Sequence, residues 1–216
     1  MHYMAKLGVF ERRKISEAVE NTGRQPLPCG WVDTNKGDSE KPELRSRLVA
    51  KETQRLSTLG KEDASATFAA TPPIEGLRLL LSLAMTGRSR DRVLTFIDIS
   101  RAHLHSELKR RVYIKAPKED RGCKEDECWL LLKAMYGTRD AAQTWECAYL
   151  NYLEEIGFVS GVSTPCIFHH RERDLRGTVH GDDFTICGPE DERHWLSEKM
   201  KSWFESMKLG SFSRRF

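Results

Sequence analysis

Two adjacent carboxylates, Asp182 and Asp183, follow a glycine within the segment 179–184. The flanking residues are apolar or β-forming and Gly181 suits a tight turn, so the pattern predicts the tip of a β-hairpin. Adjacent aspartates repel each other, and a divalent metal ion is the usual compensating charge. The alternative is a solvated Gly-Asp-Asp turn, which is a common surface feature.

A third aspartate, Asp98, lies inside the apolar run 93–100. This run has the composition and length of a buried strand, where an unpaired carboxylate is costly. If the strand pairs beside the hairpin, three carboxylates converge on one patch. Such a patch can hold two Mg²⁺ or Mn²⁺ ions about 3.5–4 Å apart, as in enzymes of in-line displacement at phosphorus. The alternative is that Asp98 caps the helix that follows.

The elements that must position these residues are helices placed between short strands. Prolines at 72–73 start one helix, and an apolar stripe predicts another over 140–156. Acidic residues after Pro189 begin a last helix, whose apolar face extends to Met207 and which ends at Gly210. Because strands and helices do not alternate regularly, this order indicates an α+β fold in which helices pack on an antiparallel sheet.

The composition allows one domain with a loose extension. The chain has 216 residues, 39% of them hydrophobic, and a net charge of only +3, so any affinity for nucleic acid must come from local basic patches. Residues 1–43 are polar and punctuated by proline and glycine, which predicts an irregular N-terminal extension or linker with a short helix near 11–20. The domain itself is then expected over 44–210, followed by a tail over 211–216.

The cysteine pattern argues against secretion and against zinc. The six cysteines have no paired spacing typical of a secreted framework, and neither a signal peptide nor an apolar run near the roughly 20 residues of a membrane span occurs. The expected location is intracellular, in the cytoplasm or nucleus, with no membrane partner. Cys123 and Cys128 with His169 and His170 do not predict a zinc site, because the cysteine gap is wide and no second cysteine pair follows.

Six blocks of sequence occur in a characteristic order along the chain. They are residues 47–51, 66–84, 96–104, 107–117, 132–145 and 179–183. Together they resemble the reverse transcriptase domain of copia-type LTR retrotransposon Pol polyproteins. The resemblance implies a polymerase palm with part of the fingers, and nothing after Gly210 resembles a thumb.

The resemblance also implies an activity and the residues that carry it. The activity is that of an RNA-directed DNA polymerase, which extends a primer on an RNA or DNA template with deoxynucleoside triphosphates. Asp98 and Asp182 would hold two Mg²⁺ or Mn²⁺ ions and Asp183 would support them. The remaining implied residues are Arg47, Lys51, Ala102 and His103 for the nucleotide, and Gly137 and Arg139 for the template and primer.

The chain departs from the family pattern near several of these residues. His103 stands where the family has an aromatic side chain, His180 and Gly181 replace the first two residues of Tyr-Val-Asp-Asp, and Asp140 replaces a glutamine. These departures keep a second hypothesis open, that of a catalytically inactive retrotransposon relic that at most binds nucleic acid.

Overall fold

The computed structural model describes residues 2–57, 59, 67–86, 92–204 and 207–213. They belong to two compact units, the first formed by Met1–Phe68 with His103–Trp145 and the second by Ala69–Ala102 with Glu146–Phe216. The elements in chain order are α1 (His2–Lys6), β1 (Phe10–Lys14), α2 (Ile15–Thr22), β2 (Cys29–Asn35), β3 (Leu44–Ala50), α3 (Ile74–Thr86), β4 (Arg92–Ile99), a 3-10 helix (Ala102–His105), β5 (Glu107–Ile114), β6 (Glu127–Lys133), α4 (Ala141–Glu155), β7 (Val159–Ser160), β8 (Ile167–His170), β9 (Leu175–His180), β10 (Asp183–Pro189), α5 (Glu190–Trp203) and β11 (Met207–Ser213).

The predicted combination of helices with antiparallel sheets is confirmed. All strand pairs of the three described sheets run antiparallel. The helices predicted after the prolines at 72–73 and over 140–156 are α3 and α4. Within the described ranges, no helix has the length and apolar character needed to cross a membrane.

The first unit is built on a three-stranded sheet, ordered β1-β6-β5, and a separate β2-β3 hairpin. Its centre is Trp129, which is fully buried and stacks on Phe10 with ring centroids 3.5 Å apart. The hairpin contributes Leu48 and Ala50 to the same hydrophobic cluster. This core links β3 to β5 and β6, and it thereby fixes the end of β3 from which the segment after Ala50 begins.

The prediction of an irregular extension over 1–43 is wrong. The segment contains two helices and two strands, and β1 pairs along β6 from Phe10 opposite Leu131 to Lys14 opposite Glu127. The strand β1 lies at the sheet edge and is mostly exposed, so its charged residues hide the period-two pattern of a strand. The strands β2 and β3 pair across position 43, so this part of the chain is a hairpin rather than a linker.

The second unit is built on a six-stranded sheet, ordered β11-β4-β10-β9-β8-β7. Helix α3 packs on one face, where Leu80 contacts a cluster with Leu94 and Cys187. Because successive strand residues face opposite sides, Phe184 lies on the other face, and there the Tyr149 ring meets it edge-on at 5.5 Å. The central strands β4 and β10 are therefore covered on both faces by helices.

The prediction that the last helix extends to Met207 and Gly210 is also wrong. The helix α5 ends at Trp203, and Phe204 adopts extended backbone angles, φ −110° and ψ 120°. The chain then forms β11, which pairs along β4 from Met207 opposite Ile99 to Ser213 opposite Val93. This pairing supplies hydrogen-bond partners to the backbone of β4, which outweighs helix continuation. The expected tail over 211–216 accordingly begins within a strand.

Candidate functional site

The hairpin predicted at Asp182 and Asp183 is confirmed. Strands β9 and β10 are joined by a loop of two residues, Gly181 and Asp182, and His180 pairs with Asp183 across it. Gly181 has φ of +65°, a conformation that costs glycine little, which explains why this residue type occupies the first position of so short a loop.

The strand that carries Asp98 does pair beside this hairpin. Asp183 stands directly opposite Asp98 in the register of β10 and β4. The backbone N–H of Ile99 donates to the carbonyl oxygen of Asp182 at 3.0 Å, which extends the ladder into the loop. Residues directly opposite each other in an antiparallel pair have Cβ atoms about 4.5–5.5 Å apart. The predicted neighbourhood of the three aspartates is thus confirmed at the level of the backbone.

The two paired aspartates lie on the face of the sheet that α3 partly covers. Alternation along the strands places Asp98 and Asp183 on the same face as Leu94 and Cys187. The helix covers Leu94, whereas Phe96 is 40% exposed and Asp183 is exposed. Within this unit the carboxylate end of the face is open, while the Leu94 end is closed.

No described side chain neutralises these carboxylates. The side chains of Asp98, Asp182 and Asp183 accept no hydrogen bond from a described backbone or side-chain group, and they form no described ion pair. A helix-capping role for Asp98 is therefore not observed in that part of the chain. Burial raises the pKa of the Asp183 carboxyl, and repulsion from Asp182 and Asp98 raises it further. The charge of His180 acts in the opposite direction and lowers this pKa. In the sequence, His180 stands out only as a departure from the family pattern. The two-residue loop places it beside Asp183.

The donor atoms fit a hard divalent cation in type but are not gathered around a common point. Carboxylate oxygens are the ligands that Mg²⁺ and Mn²⁺ prefer, and the unrelieved repulsion favours a bound cation. Nevertheless, no group of three His, Cys, Asp or Glu side chains in the described ranges is arranged to hold a metal ion. The residues that would hold one are Asp98, Asp182 and Asp183, after rotation of their side chains.

Part of the set predicted to contact the nucleotide meets around Tyr136 in the first unit. The ring of His103 lies 4.8 Å from that of Tyr136, and the Arg47 guanidinium lies 5.7 Å from the centre of the same ring. The Nε–H of Arg47 is buried and has no hydrogen-bond partner among the described residues. Sequence reasoning missed Tyr136, although it lies within the block 132–145.

The other predicted residues of the set are more dispersed. Lys51 is exposed and its side chain extends over Gly30 of β2. Ala102 is completely buried at the start of the 3-10 helix and belongs to the second unit. For both residues, contact with a nucleotide stays a prediction.

Gly137 is a position where only glycine fits. Its φ is +86°, and a Cβ built there would lie 1.9 Å from the carbonyl oxygen of Ala50. Two backbone hydrogen bonds hold this segment close to the end of β3. The Ala50 N–H donates to the Tyr136 carbonyl at 2.8 Å, and the Glu52 N–H donates to the Gly137 carbonyl at 3.3 Å. The segment that carries the predicted template and primer residues is therefore fastened to the end of β3.

A buried ion network also holds the Gly137 segment in place. Arg110 of β5 donates to both carboxylate oxygens of Glu52, at 2.9 and 2.7 Å, and to both of Asp140, at 2.7 and 2.6 Å. Glu52 also accepts hydrogen bonds from the Ser57 hydroxyl at 2.6 Å and from the backbone N–H of Arg139 at 2.9 Å. The side chain of Glu52 is completely buried, and that of Arg110 is 17% exposed.

The network shifts the pKa values of Glu52 and Arg110. Burial alone would raise the pKa of Glu52, but the hydrogen bonds from Arg110, Ser57 and the Arg139 backbone outweigh it, and the pKa lies below its usual value. Burial opposes the charge of Arg110 in the same way, and its two carboxylate partners hold its pKa above the usual value. Asp140, which stands where the resembled family has a glutamine, shares the single positive charge of Arg110 with Glu52, so the three side chains together keep a net charge of −1.

Replacing Arg110 with methionine leaves Glu52 and Asp140 buried without their partner. We expect Arg110→Met to lower the free energy of unfolding by about 3 kcal/mol, whereas Lys109→Met, an exposed change on the same strand, changes it by less than about 0.5 kcal/mol. Denaturant unfolding of both variants measures the difference. Equal stability of the two variants would contradict the role given to the network.

The same variant predicts a pH dependence. Because the folded pKa of Glu52 is lowered, its contribution is present above the unfolded value of about 4.3 and is lost as the pH falls through the folded value. The gap in Tm between the wild-type chain and Arg110→Met should therefore narrow below about pH 4. A gap that widens on acidification would contradict this.

The open carboxylates give a prediction of opposite sign. The folded pKa of Asp183 is raised, so stability is highest below the unfolded value of about 3.9 and is lost as the pH rises through the folded value. We expect the Tm of Asp183→Asn to be higher than that of the wild-type chain at pH 7 and equal to it at pH 3.

Millimolar Mn²⁺ should raise the Tm of the wild-type chain and of the control Asp33→Asn, but raise that of Asp183→Asn less. An equal response of all three proteins would contradict a cation site at Asp183.

Comparison with known proteins relates the sequence of this chain to a family. The family described as reverse transcriptase (RNA-dependent DNA polymerase) matches residues 14–215. The chain is 28% identical over 175 residues to the retrovirus-related Pol polyprotein from transposon TNT 1-94 of Nicotiana tabacum, a match that covers 78% of this chain and 13% of the polyprotein. It is 31% identical over 171 residues to the corresponding polyprotein from transposon RE1 of Arabidopsis thaliana, covering 74% of this chain and 11% of that one.

The chain spans only about a tenth of the length of these polyproteins, since 13% and 11% of them are covered. The family match nevertheless extends over both units and begins within the segment that was expected to be a linker. The chain belongs to the reverse transcriptase (RNA-dependent DNA polymerase) family.

Proposed function

We propose that this chain is the fingers and palm part of a copia-type RNA-directed DNA polymerase. It adds deoxynucleotides to the 3′-hydroxyl of a primer on an RNA or DNA template. The observation that carries the proposal is the register that pairs Asp98 with Asp183 beside a two-residue loop holding Asp182. The family match and the names of the relatives support the same assignment.

The two compact units correspond to the two parts of such an enzyme in this proposal. The second unit, with its six-stranded sheet and the aspartates, is assigned as the palm. The first unit, with the β2-β3 hairpin and the Gly137 segment, is assigned as the fingers. The domain thus begins with the N-terminal elements rather than at residue 44, because β1 and β2 belong to the first unit.

The carboxylates of Asp98, Asp182 and Asp183 are the proposed metal ligands. Two Mg²⁺ or Mn²⁺ ions bound there would activate the primer 3′-hydroxyl and neutralise the charge of the departing pyrophosphate. Strands β4 and β10 hold Asp98 and Asp183 more rigidly than a loop would, and the bond from the Ile99 N–H to the Asp182 carbonyl fixes the loop residue Asp182. His180 pairs with Asp183 across the loop, and its charge lowers the pKa of that carboxyl.

Arg47 and Tyr136 are suited to holding the incoming nucleotide. The unsatisfied Nε–H of Arg47 can donate to a phosphate oxygen, an interaction for which the guanidinium fork is well shaped. Stacking on Tyr136 limits the freedom of Arg47, so less conformational entropy is lost when the phosphate binds. Lys51, which is exposed, adds a second cation directly after β3.

Gly137 and Arg139 are the proposed contacts to the template and primer. The Nη1 of Arg139 is buried and has no hydrogen-bond partner among the described residues, so it is free to donate to a phosphate. The anion Asp140 beside it would repel such a phosphate if it were isolated. Its pairing with Arg110 reduces that repulsion, although Arg110 shares its charge with Glu52.

A second candidate function is binding of nucleic acid without polymerisation. The observation that favours it is that the described acidic, histidine and cysteine side chains form no group of three able to hold a metal ion. The two candidates differ in whether the purified chain incorporates nucleotides.

Primer extension separates the two candidates. The wild-type chain, Asp182→Asn, Asp98→Asn and the control Asp33→Asn are each given a homopolymer RNA template, a DNA primer and Mg²⁺ or Mn²⁺. We expect incorporation by the wild-type chain and the control, and a loss of about a hundredfold or more in the two site variants, equivalent to about 3 kcal/mol of transition-state stabilisation. No incorporation by folded wild-type chain would favour the second candidate, and equal rates in all four proteins would contradict the site.

A further inference from the structure

A pocket of about 580 Å³, called here the α5 pocket, lies within the second unit. It is lined by residues 155–157, where α4 ends, by Val159 of β7, by the turn 170–173, and by Trp195 and Lys199 of α5. The strand β9 begins after this turn and leads to the loop of the candidate site, so its six residues place the two about 20 Å apart. The polymerase chemistry proposed above uses none of the lining residues and leaves the pocket without a role.

His170 supplies a buried polar group to the α5 pocket. It is only 7% exposed, and its ring meets those of Phe158 and Trp195 edge-on, with centroids 5.2 and 5.5 Å away. The backbone N–H of Arg173 donates to its Nδ1 at 3.4 Å. A ring nitrogen that accepts a hydrogen bond carries no proton, so in the neutral ring the proton is on Nε2. Nε2 is therefore a hydrogen-bond donor.

The donor Nε2 of His170 lies against Gly157. A Cβ built on this glycine would lie 2.8 Å from Nε2, so any larger residue would crowd the donor. The φ of Gly157 is +94°, a conformation that also favours glycine. Nε2 has no hydrogen-bond partner among the described residues. Because a buried donor without a partner costs free energy, a ligand that supplies an acceptor here gains affinity.

The rest of the pocket surface is largely apolar and held in place. Ile156 is half-buried, Val159 is 57% exposed, and the indole of Trp195 is half-buried. The Arg173 guanidinium lies 3.9 Å from the centre of one Trp195 ring and forms an ion pair with Glu192 at 2.6 Å. These contacts fix the indole, and a preformed wall loses little conformational entropy when it binds a ligand.

The charges around the α5 pocket balance. Its exposed lining residues include two anions, Glu155 and Glu172, and two cations, Arg171 and Lys199. None of the four forms an ion pair with any residue in the described ranges. The remaining cation, Arg173, already has its carboxylate partner. A charged ligand would be attracted by one pair and repelled by the other, so the pocket favours an uncharged one.

We propose that the α5 pocket binds an uncharged small molecule with an apolar body and one carbonyl acceptor, the class of a substituted carboxamide. The carbonyl oxygen accepts from the Nε2–H of His170, and the body packs on Trp195, Ile156 and Val159. The volume lies within the range of about 300–1,000 Å³ that is usual for small-molecule sites, and apolar walls with few polar groups are typical of them. The inference goes beyond the proposed function and shares no residue with it.

The test is a titration of the full ¹⁵N-labelled chain followed by NMR. Three compounds serve as probes: 2-phenylacetamide, phenylacetate and phenethylamine. They share a benzyl group and carry an uncharged carbonyl, an anion and a cation, respectively, near neutral pH. The reporters are the Gly157 amide and the indole N–H of Trp195, which is assigned by its absence in Trp195→Phe.

Two variants remove features of the pocket, each with a matched control. His170→Phe keeps an aromatic ring against Phe158 and Trp195 but removes the donor, and its control is His169→Phe, an exposed change outside the pocket. Val159→Trp fills the pocket from its rim, and its control is Val162→Trp, at a fully exposed position outside the pocket.

We expect saturable shifts of both reporters with 2-phenylacetamide, and about tenfold or more weaker binding of the two charged probes. His170→Phe should weaken binding of the amide about fivefold or more, because a hydrogen bond to a buried donor is lost. Val159→Trp should abolish it, and both controls should bind as the wild-type chain does.

Three results would overturn the proposal: no saturable shift in the wild-type chain, equal affinities for the three probes, or equal binding by each variant and its control. If His170→Phe does not fold, the Val159→Trp and Val162→Trp pair decides. The outcome is independent of catalysis. If primer extension fails while the amide binds as expected, the polymerase proposal falls and the pocket stands, and the reverse pattern removes the pocket alone.

Discussion

The antiparallel ladder between β10 and β4 is the constraint on which the candidate site depends. It runs in unbroken register from Asp183 opposite Asp98 to Pro189 opposite Arg92. A shift of this register by one residue would send one of the two carboxylates to the opposite face, where Tyr149 of α4 packs on Phe184. Hydrophobic packing prevents the shift, because Leu94 and Cys187 meet Leu80 of α3 at the other end of the same ladder. The apolar end of the sheet thus determines where the charged end lies.

The two units treat buried and half-buried charge in opposite ways. In the first unit, Glu52 and Asp140 both accept hydrogen bonds from Arg110, and the network holds the Gly137 segment against β3. In the second unit, Asp98 and Asp183 face each other and neither forms an ion pair with a described side chain. A satisfied network stabilises a fold, whereas an unsatisfied one destabilises it unless a ligand binds. The contrast separates charges with a structural role from charges available to a cation.

Much of the site followed from local pattern, because its parts are close in sequence or strongly periodic. The hairpin tip was predictable from Gly181 between β-forming runs, and the strand of Asp98 from its β-branched residues. The pairing of this strand with the hairpin could be predicted only as a condition, since strand partners distant in sequence are not encoded locally. The order of the six blocks indicated the family, which the family match shows, whereas the division into fingers and palm stays a proposal.

What could not be predicted depends on partners remote in sequence. The strand β1 looks like a loop because β6, more than a hundred residues later, supplies its hydrogen bonds and Trp129 supplies its packing. The sequence of β11 predicts the end of a helix, but pairing with β4 makes this segment a strand. Arg110 lies where the register of β5 and β6 shifts, and such an irregularity re-aims side chains in ways that alternation does not show.

The most direct test of this account is a crystal structure of the chain grown with Mn²⁺, a primer–template and a non-hydrolysable deoxynucleoside triphosphate analogue. Anomalous scattering then locates manganese without reference to the protein. The account predicts two manganese ions about 3.5–4 Å apart, bound by Asp98, Asp182 and Asp183. Bound nucleic acid with no manganese at these aspartates would contradict it.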